Sequence, residues 1–362
     1  MPMATAVAPT VARTRRPQRP EAPPRPTRSQ RLRRSDLSAP GYTRRRCGKG
    51  FMYLDAEGER ITDVELIARF AGLVIPPAWQ SVWISPDPFG HIQATGIDAR
   101  GRKQYLYHPR WRARRDQAKF EDMIVFARCL PALRSVVEHD LALGDLSREQ
   151  VLACAARLLD RGFFRIGSEE YKVSNETYGL ATICKRHVTI SGDTVSFDYI
   201  AKESKRRLQA VIDPEVAEII GTLKRRRGGG EELLAYKAGR EWCDVRSPDI
   251  NAYLKAATGA DISAKDFRTW GATVLAAVGL AVNRPEHLSQ PQRKRAIMRA
   301  VKEVAFYLGN TPAVARSSYI DPRVFDRYRD GQTIALDLVG IEPGATAIQG
   351  PVEEAVLDLL EG

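Results

Sequence analysis

The sequence has no long uninterrupted run of apolar residues. Its 362 residues are 43% hydrophobic and 28% charged, and no stretch approaches the roughly 18 apolar residues that a membrane-spanning helix needs. A secretory signal is not expected either, because residues 1–40 contain no apolar core. We therefore expect a soluble, globular protein that is long enough for two domains and that does not enter a membrane.

Cysteine and histidine are scarce, with five of each. No two cysteines have the C-x-x-C spacing, so neither a zinc site nor a disulfide framework is indicated. The histidines are scattered and form no set of metal ligands. The sequence predicts reduced cysteines in a cytosolic compartment, with no metal and no cofactor. The cysteines are Cys47, Cys129, Cys154, Cys184 and Cys243.

Acidic residues are almost absent from the first forty positions. Residues 1–40 hold nine arginines against Glu21 and Asp36, and they contribute +7 of the formal net charge of +12. They also hold eight of the 22 prolines, and such a segment cannot bury enough surface to offset its ordering entropy. We predict that residues 1–40 form a disordered tail, which either increases solubility or tethers the protein weakly to nucleic acid. The overall basic charge indicates a polyanionic partner.

Residues 41–115 have the pattern of a small domain with an antiparallel sheet. Residues 61–73 carry apolar side chains at helical spacing. Three short runs rich in β-formers follow, separated by Gly- and Pro-containing turns, which predicts a β-meander. The runs are residues 81–87, 91–98 and 102–108.

The last of these runs combines aromatic and basic residues. Strand alternation places Lys103, Tyr105 and Tyr107 on one face, with Gln104 on the other. An aromatic and basic face suits a phosphate backbone, although a packed pair of tyrosines with a solvated charged edge explains the pattern equally well.

Residues 116–340 read as a mostly α-helical domain into which a small sheet is inserted, and residues 341–362 as a C-terminal tail. A capping box at Ser147–Gln150 begins one helix. Residues 187–207 form a predicted hairpin around Ser-Gly-Asp, with Lys202 just after its second strand.

Five positions in this domain have side chains suited to phosphodiester chemistry. A buried arginine in an ion pair, an exposed lysine, an asparagine that caps a helix and a tyrosine in the core are ordinary structural alternatives for them. Spacing alone leaves both interpretations open. The positions are Arg165, Lys202, Arg268, Asn310 and Tyr319.

The sequence around these positions resembles the type IB DNA topoisomerases, most closely the poxvirus-like and bacterial branch. The blocks, in order, are FRIGSEEY with NETYGLATI (164–171 and 175–183), DYIAKESK (198–205), KDFRTWGA (265–272) and GNTPAVARSSYI (309–320). IPPAW (75–79) and IQATGIDARGRKQYLYHP (92–109) resemble the DNA-clamping domain of that family. The resemblance covers residues 43–325. It implies an α+β protein with the DNA breaking-rejoining enzyme fold: a small N-terminal antiparallel-sheet domain, then a mostly α-helical catalytic domain with a small β-sheet.

The resemblance also implies a reaction. Tyr319 would attack a backbone phosphate and form a 3′-phosphotyrosyl intermediate, so that resealing needs no ATP and no obligatory metal. Arg165 and Arg268 would neutralise charge on the non-bridging oxygens. Lys202 would protonate the departing 5′-oxygen.

Two further positions carry weaker implications. Asn310 stands where viral members carry a histidine, and its amide can donate a hydrogen bond but no charge. Lys265 would contact a neighbouring phosphate.

Double-stranded DNA is the implied partner, and the expected enzyme is a monomer that closes as a clamp around the duplex, in the cytoplasm at the nucleoid. A site-specific tyrosine recombinase is an alternative, but such enzymes carry His-x-x-Arg where this chain has Lys265 to Arg268, and their N-terminal DNA domain is helical. A non-enzymatic architectural DNA-binding protein is another alternative, which would leave the ordered set of five residues unexplained.

Overall fold

The computed structural model describes residues 31–167, 176–283, 285–335 and 349–362. The chain divides into two compact units, with the boundary between Arg115 and Asp116.

The first unit is built on a five-stranded antiparallel sheet with the order β2-β1-β3-β4-β5. A small apolar core that includes Phe70 and Ile84 packs on it. The predicted meander corresponds to the last three strands, so this part of the predicted fold class is confirmed. The elements are β1 (Tyr42–Cys47), β2 (Gly50–Leu54), α1 (Val64–Gly72), β3 (Gln80–Ile84), β4 (Ile92–Ile97) and β5 (Lys103–Tyr107).

The hairpin of β1 and β2 was not predicted, because β1 carries arginines where an apolar alternation would mark a strand. Arg44 shows why the strand forms nevertheless. Its guanidinium donates to the carbonyl oxygens of Ile75 (2.9 Å) and Pro76 (2.8 Å) and lies 4.0 Å from the centre of the Phe51 ring. A long side chain with an apolar stem and a hydrogen-bonded head can therefore take an inward position.

Residues 31–40 pack along this sheet. Arg33 pairs with Gly90 in a β-bridge, Ser35 Oγ donates to the carbonyl of Ile92 at 2.8 Å, and the indole of Trp83 donates to the carbonyl of Ala39 at 3.1 Å. The predicted disordered tail is corrected for these ten residues, since backbone pairing holds a segment whose own composition is polar. Residues 1–30 lie outside the described residues.

The second unit is mostly helical, as predicted. Its sheets are a three-stranded antiparallel one with the order β6-β7-β8 and a two-stranded one of β9 and β10. The helices are α2 (Pro109–Leu141), α3 (Arg148–Gly162), α4 (Pro214–Arg225), α5 (Ser247–Thr258), α6 (Ala264–Ala281), α7 (Gln290–Leu308), α8 (Pro312–Ser318), α9 (Pro322–Arg329) and α10 (Pro351–Glu361). The strands are β6 (Val188–Ser191), β7 (Thr194–Ala201), β8 (Lys205–Ile212), β9 (Ala235–Ala238) and β10 (Glu241–Asp244).

Local sequence signals account for several helix starts. Ser147 caps α3 by accepting from the backbone N–H of Gln150, as the capping box predicted. Asp213 caps α4, and Thr311 caps α8 by accepting from Val314 N–H at 3.3 Å. Each cap satisfies a backbone donor that the first turn of a helix leaves unpaired.

Helix α6 lies in the core and is rigidly held. Trp270, Ala272, Val274 and Ala276 on its different sides are all buried. A helix that is apolar nearly all round is enclosed by other elements, so α6 is a stable support for any polar side chain that it carries.

The predicted C-terminal tail is corrected for residues 351–361, which form α10. Val356 and Leu360, four positions apart, bury one side of it. Its Glu353 accepts from the indole of Trp270 on α6 at 2.8 Å and from Arg134 on α2, and Arg134 also bonds to Asp160 on α3. The mostly buried carboxylate of Glu353 thus helps to tie α10 to the core.

Within the described ranges, no helix has the length and apolar character needed to cross a membrane.

Candidate active site

Four of the five predicted catalytic side chains line one cavity in the second unit. Its volume is about 380 Å³. Lys202 comes to it from the turn between β7 and β8, Arg268 comes from α6, and Tyr319 comes from the end of α8. Lys265, predicted to contact a phosphate, also lines it. The lining includes Arg165, Lys202, Lys265, Arg268 and Tyr319.

Tyr319 is placed by the short helix α8, which ends at this residue. Its backbone N–H donates to the carbonyl of Ala315 at 3.1 Å, and Ala315 is fully buried. The hydroxyl of Thr273, on α6, lies 3.3 Å from the carbonyl of Tyr319 and accepts from the N–H of Asp321 at 3.1 Å. The tyrosine is therefore fixed against the same helix that carries Arg268.

Arg268 is 4% exposed, and its guanidinium carbon lies 5.2 Å from the centre of the Tyr319 ring. Its two outer nitrogens donate to the carbonyls of Phe163, after α3, and Leu308, at the end of α7 (2.9 Å to the latter). Burial, followed by the like charge of Arg165, lowers the pKa of Arg268 to about 10. The group therefore remains charged at neutral pH.

Arg165 lies two residues after Phe163, which ends α3 in a left-handed backbone conformation. Its Nη2 group donates to the Oδ1 atom of Asn310 and lies 3.4 Å from the carbonyl of Gly309. A guanidinium only donates hydrogen bonds, so this contact fixes the amide with its oxygen toward Arg165. The Nδ2 group of Asn310 is buried and has no hydrogen-bond partner among the described residues.

Four consecutive carbonyls at the end of α7 each accept from an arginine. Arg207 on β8 donates to those of Phe306 (3.2 Å) and Tyr307 (2.6 Å). Arg268 donates to that of Leu308 and Arg165 to that of Gly309. The last carbonyls of a helix have no intrahelical donor and lie at the negative end of the helix dipole. They can therefore hold several guanidinium groups close together.

The cations change the acidity of Tyr319. Burial by itself disfavours the phenolate, but the charges of Arg268 and Arg165, together with polar interactions of the Arg268 and Asn310 side chains, outweigh it. The pKa of Tyr319 therefore lies below its ordinary value of 10.0. The site therefore favours a nucleophilic oxygen at this position.

Lys202 reaches the cavity from the turn between β7 and β8. The next two residues, Glu203 and Ser204, have positive φ angles of 66° and 55°, which makes this turn tight. Glu203 bonds to Lys205 at 2.7 Å, and the ammonium group of Lys202 forms no ion pair with the residues that the structure describes. It is exposed and therefore available to donate a proton to a bound group.

Lys119 on α2 is a neighbour of this site that the sequence did not reveal. Its Nζ donates to the carbonyl of Ser318, the residue before Tyr319, at 3.2 Å. Burial, with a further contribution from Lys265, lowers the pKa of Lys119. It lies 199 positions from Ser318, on a helix rich in cations, so no local pattern distinguishes it from a solvated lysine.

The predicted DNA-contacting residues of the first unit lie on β5, at the edge of its sheet. Tyr105 and Tyr107 are 40% and 39% exposed and stack with ring centres 6.3 Å apart, and Lys103 lies 5.9 Å from the Tyr105 ring. Gln104 is on the opposite face and donates to Asp98 at 2.9 Å. The face of Lys103, Tyr105 and Tyr107 has the predicted alternation, and its contact with DNA stays a prediction.

No group of three or more His, Cys, Asp or Glu in the described part of the chain is arranged to hold a metal ion. The expectation of a metal-free reaction is not tested by this finding. Residues 168–175, which include parts of the FRIGSEEY and NETYGLATI motifs around and after Arg165, lie outside the described residues.

Sequence comparisons match both units of the chain. Residues 108–334 match the family described as eukaryotic DNA topoisomerase I, catalytic core, and residues 50–98 match the bacterial DNA topoisomerase IB N-terminal domain. The first match covers more than half of the chain.

Similar proteins include several viral enzymes. The chain is 26% identical over 310 residues to the DNA topoisomerase 1B of Acanthamoeba polyphaga mimivirus, which covers 84% of the chain and 92% of the viral protein. It is 21% identical over 243 residues to the DNA topoisomerase I of Monkeypox virus, covering 65% of the chain and 72% of that protein. It is 22% identical over 243 residues to the DNA topoisomerase 1 of Rabbit fibroma virus, covering 64% of the chain and 70% of that protein.

Proposed function

The chain belongs to the type IB DNA topoisomerases, and on that premise we propose that it relaxes supercoiled DNA by cutting and resealing one strand through Tyr319. The observation that carries this proposal is the arrangement of the Tyr319 phenol beside Arg268, in a cavity that Arg165 and Lys202 also line. Family membership favours this function over a site-specific recombinase or an architectural DNA-binding protein.

In the cleavage step the phenolate oxygen of Tyr319 attacks the phosphorus of a backbone phosphodiester. A 3′-phosphotyrosyl bond forms while the bond from phosphorus to the 5′-oxygen breaks. The 5′-oxygen leaves with the bonding electron pair and takes a proton from the ammonium group of Lys202. For resealing, the 5′-hydroxyl returns this proton and displaces Tyr319, so the phosphodiester is conserved and ATP is not consumed.

The two arginines would stabilise the negative charge that develops on the phosphate. As the phosphorus becomes five-coordinate, negative charge accumulates on the non-bridging oxygens, and Arg165 and Arg268 provide planar, permanently charged donors for it. The Nδ2 group of Asn310, which is buried without a hydrogen-bond partner among the described residues, would be a third donor to the same oxygens. The exposed ammonium group of Lys265, three residues before Arg268, suits an adjacent phosphate.

The partner is double-stranded DNA, to which the net charge of +12 is suited. The exposed face of Lys103, Tyr105 and Tyr107 is the proposed DNA contact of the first unit. The protein would act as a monomer that closes as a clamp around the duplex. We expect this activity at the nucleoid in the cytoplasm, where such DNA would be found.

The test is capture of covalent protein–DNA adducts under denaturing conditions, combined with plasmid relaxation. The parent protein should form an adduct at Tyr319 and relax plasmid DNA in EDTA without ATP, whereas Tyr319→Phe should bind DNA and do neither. Tyr307→Phe makes the same chemical change at an exposed tyrosine that does not line the described cavity, and it should behave as the parent.

Relaxation by Tyr319→Phe would refute the nucleophile. Strict dependence on ATP or Mg²⁺ would refute the mechanism, and exchange between two defined sites without relaxation would favour a recombinase.

A further inference from the structure

Arg207 is a half-buried cation that the proposed reaction does not use. It lies on β8, opposite Tyr199 on β7. Along β8, Arg207, Gln209 and Val211 point inward while Arg206, Leu208 and Ala210 are exposed. Strand alternation therefore directs one of two adjacent arginines into the protein and the other into solvent.

Both outer nitrogens of Arg207 are occupied. Nη1 donates to the carbonyl of Phe306 at 3.2 Å, and Nη2 donates to that of Tyr307 at 2.6 Å. Arg207 does not belong to the described lining of the catalytic cavity. A guanidinium that is already bonded in this way is not available to a phosphate, so Arg207 does not act on the substrate directly.

The end of α7 lies directly against this guanidinium. Gly309 has a φ of +63°, and a Cβ atom added there would approach Arg207 Nη1 to 2.8 Å. Glycine is therefore favoured by the left-handed backbone, and a larger residue there would require the Arg207 side chain to shift. Any shift of Arg207 changes the space in which the chain turns from α7 toward Asn310.

The groups that follow in the chain are parts of the proposed catalytic apparatus. Leu308 accepts from Arg268, and Gly309 and Asn310 accept from Arg165. The three guanidinium groups are close enough to affect one another. Burial is the main cause that lowers the pKa of Arg268 and that of Arg207. The charge of Arg207 lowers the pKa of Arg268 further, and the charge of Arg165 lowers the pKa of Arg207 further. Like charges held so near each other need fixed acceptors to keep their places.

We propose that Arg207 is a positioning residue, which holds the C-terminal end of α7 so that its last carbonyls place Arg268, Arg165 and Asn310 around the scissile phosphate. This inference rests on the proposed function, and it adds a component that neither the motifs nor the cavity lining identify. A displacement of about 1 Å in a catalytic group can cost about 10²-fold in rate. Loss of Arg207 should therefore slow the chemical step without removing any group that touches DNA.

The experiment compares Arg207→Met with Arg206→Met. Both substitutions remove one positive charge from adjacent positions of β8, but Arg206 is exposed and pairs only with Asp198 among the described residues. Single-turnover cleavage is measured at saturating DNA, on a duplex whose cleavage site has been mapped with the parent protein. Arg207→Met should cleave about 10²-fold more slowly than Arg206→Met, with little change in DNA affinity.

A second substrate separates positioning from general damage. In a methylphosphonate, one non-bridging oxygen of the scissile phosphate is replaced by a neutral methyl group, so the reaction depends less on correctly placed guanidiniums. The deficit of Arg207→Met relative to the parent should shrink on this substrate, whereas a partly unfolded protein would lose the same factor on both. Arg207→Lys, which keeps the charge and can still donate, should recover part of the rate.

The inference is overturned if Arg207→Met cleaves as fast as Arg206→Met, or if its deficit is equal on the two substrates. If Arg207→Met does not fold, Arg207→Lys is compared with the parent on the same two substrates. An equal loss of cleavage rate on both substrates would again contradict a positioning role. A parent protein that forms no adduct would instead refute the proposed function itself.

Discussion

Arg165 donates a hydrogen bond to the Oδ1 atom of Asn310, and the amide nitrogen of Asn310 is consequently left buried without a partner among the described residues. A buried donor without an acceptor is costly unless a ligand supplies one. We therefore propose that the two residues act as one unit, in which the arginine orients the amide and the amide presents its N–H group to the substrate.

Asn310→Asp distinguishes these two roles, since it keeps the oxygen that Arg165 contacts but replaces the donor with a negative charge. Loss of one donor to a transition-state oxygen typically costs about 10²–10³-fold in rate. We expect Asn310→Ala to lie at or below the lower end of this range, with Asn310→Asp slower because its charge repels the phosphate. Arg165→Ala and Arg268→Ala should each be slower than Asn310→Ala in single-turnover cleavage.

Asn310→His should retain substantial activity and acquire a pH dependence near neutrality that the parent lacks. If Asn310→Ala were as active as the parent, Asn310 would be only a helix cap.

The lowered pKa of Tyr319 predicts a specific pH profile of cleavage. Cleavage should accelerate as pH rises toward this pKa, because the phenolate is the proposed nucleophile, and should level off above it. Arg268 is the cation that contributes most to the lowering, so in Arg268→Ala the pKa rises and the levelling-off moves to higher pH. Arg268→Lys keeps a charge and should shift the profile less; identical profiles for parent and Arg268→Ala would contradict this electrostatic role.

The proposed role of Lys202 as the proton donor can be tested by changing the leaving group of the DNA. Lys202→Ala should cleave ordinary DNA poorly but recover on DNA whose 5′-bridging oxygen at the cleavage site is sulfur, because a thiolate leaves without a proton. Arg268→Ala should recover much less, since its proposed task is charge on the non-bridging oxygens. Equal recovery of the two variants would exclude this division of roles.

The way α10 is attached predicts that substitutions of two arginines on α2 lower the stability of the protein by different amounts. Arg134 bonds to Asp160 and Glu353 with little exposure of either carboxylate, whereas Arg128 pairs with Glu361 at the surface. Removing one partner of a buried ion pair costs about 3–5 kcal/mol, and an exposed pair is worth about 0–1 kcal/mol. Because Arg134 is itself partly exposed, we expect Arg134→Met to cost less than the full buried value but clearly more than Arg128→Met.

Urea or thermal unfolding measures this difference. Covalent adduct formation at low temperature should be retained in both arginine variants, since neither side chain lines the catalytic cavity described here. Equal unfolding midpoints would show that α10 is not held through Arg134.

Several features of this protein follow from the sequence alone, because the signals that encode them are local. The alternation in residues 102–108 identifies β5 and its exposed face, and the apolar helix around Arg268 identifies α6. The ordered motifs identify the family and nominate Arg165, Lys202, Arg268, Asn310 and Tyr319. Motifs carry this information because each contains a proposed catalytic group together with the turn or helix that presents it.

Other features depend on contacts between residues far apart in the chain. Strand alternation puts Arg207 and Arg206 on opposite faces of β8, but only the packing of β8 against the end of α7 gives Arg207 its acceptors. Lys119 likewise gains its place beside the site from a carbonyl 199 positions away. Residues 31–40 are held by contacts with β3, β4 and their connection rather than by their own composition. The sequence determined which groups can perform the chemistry, and the tertiary structure decided which carbonyls hold them in place, since a guanidinium is positioned by acceptors that its own neighbours do not supply.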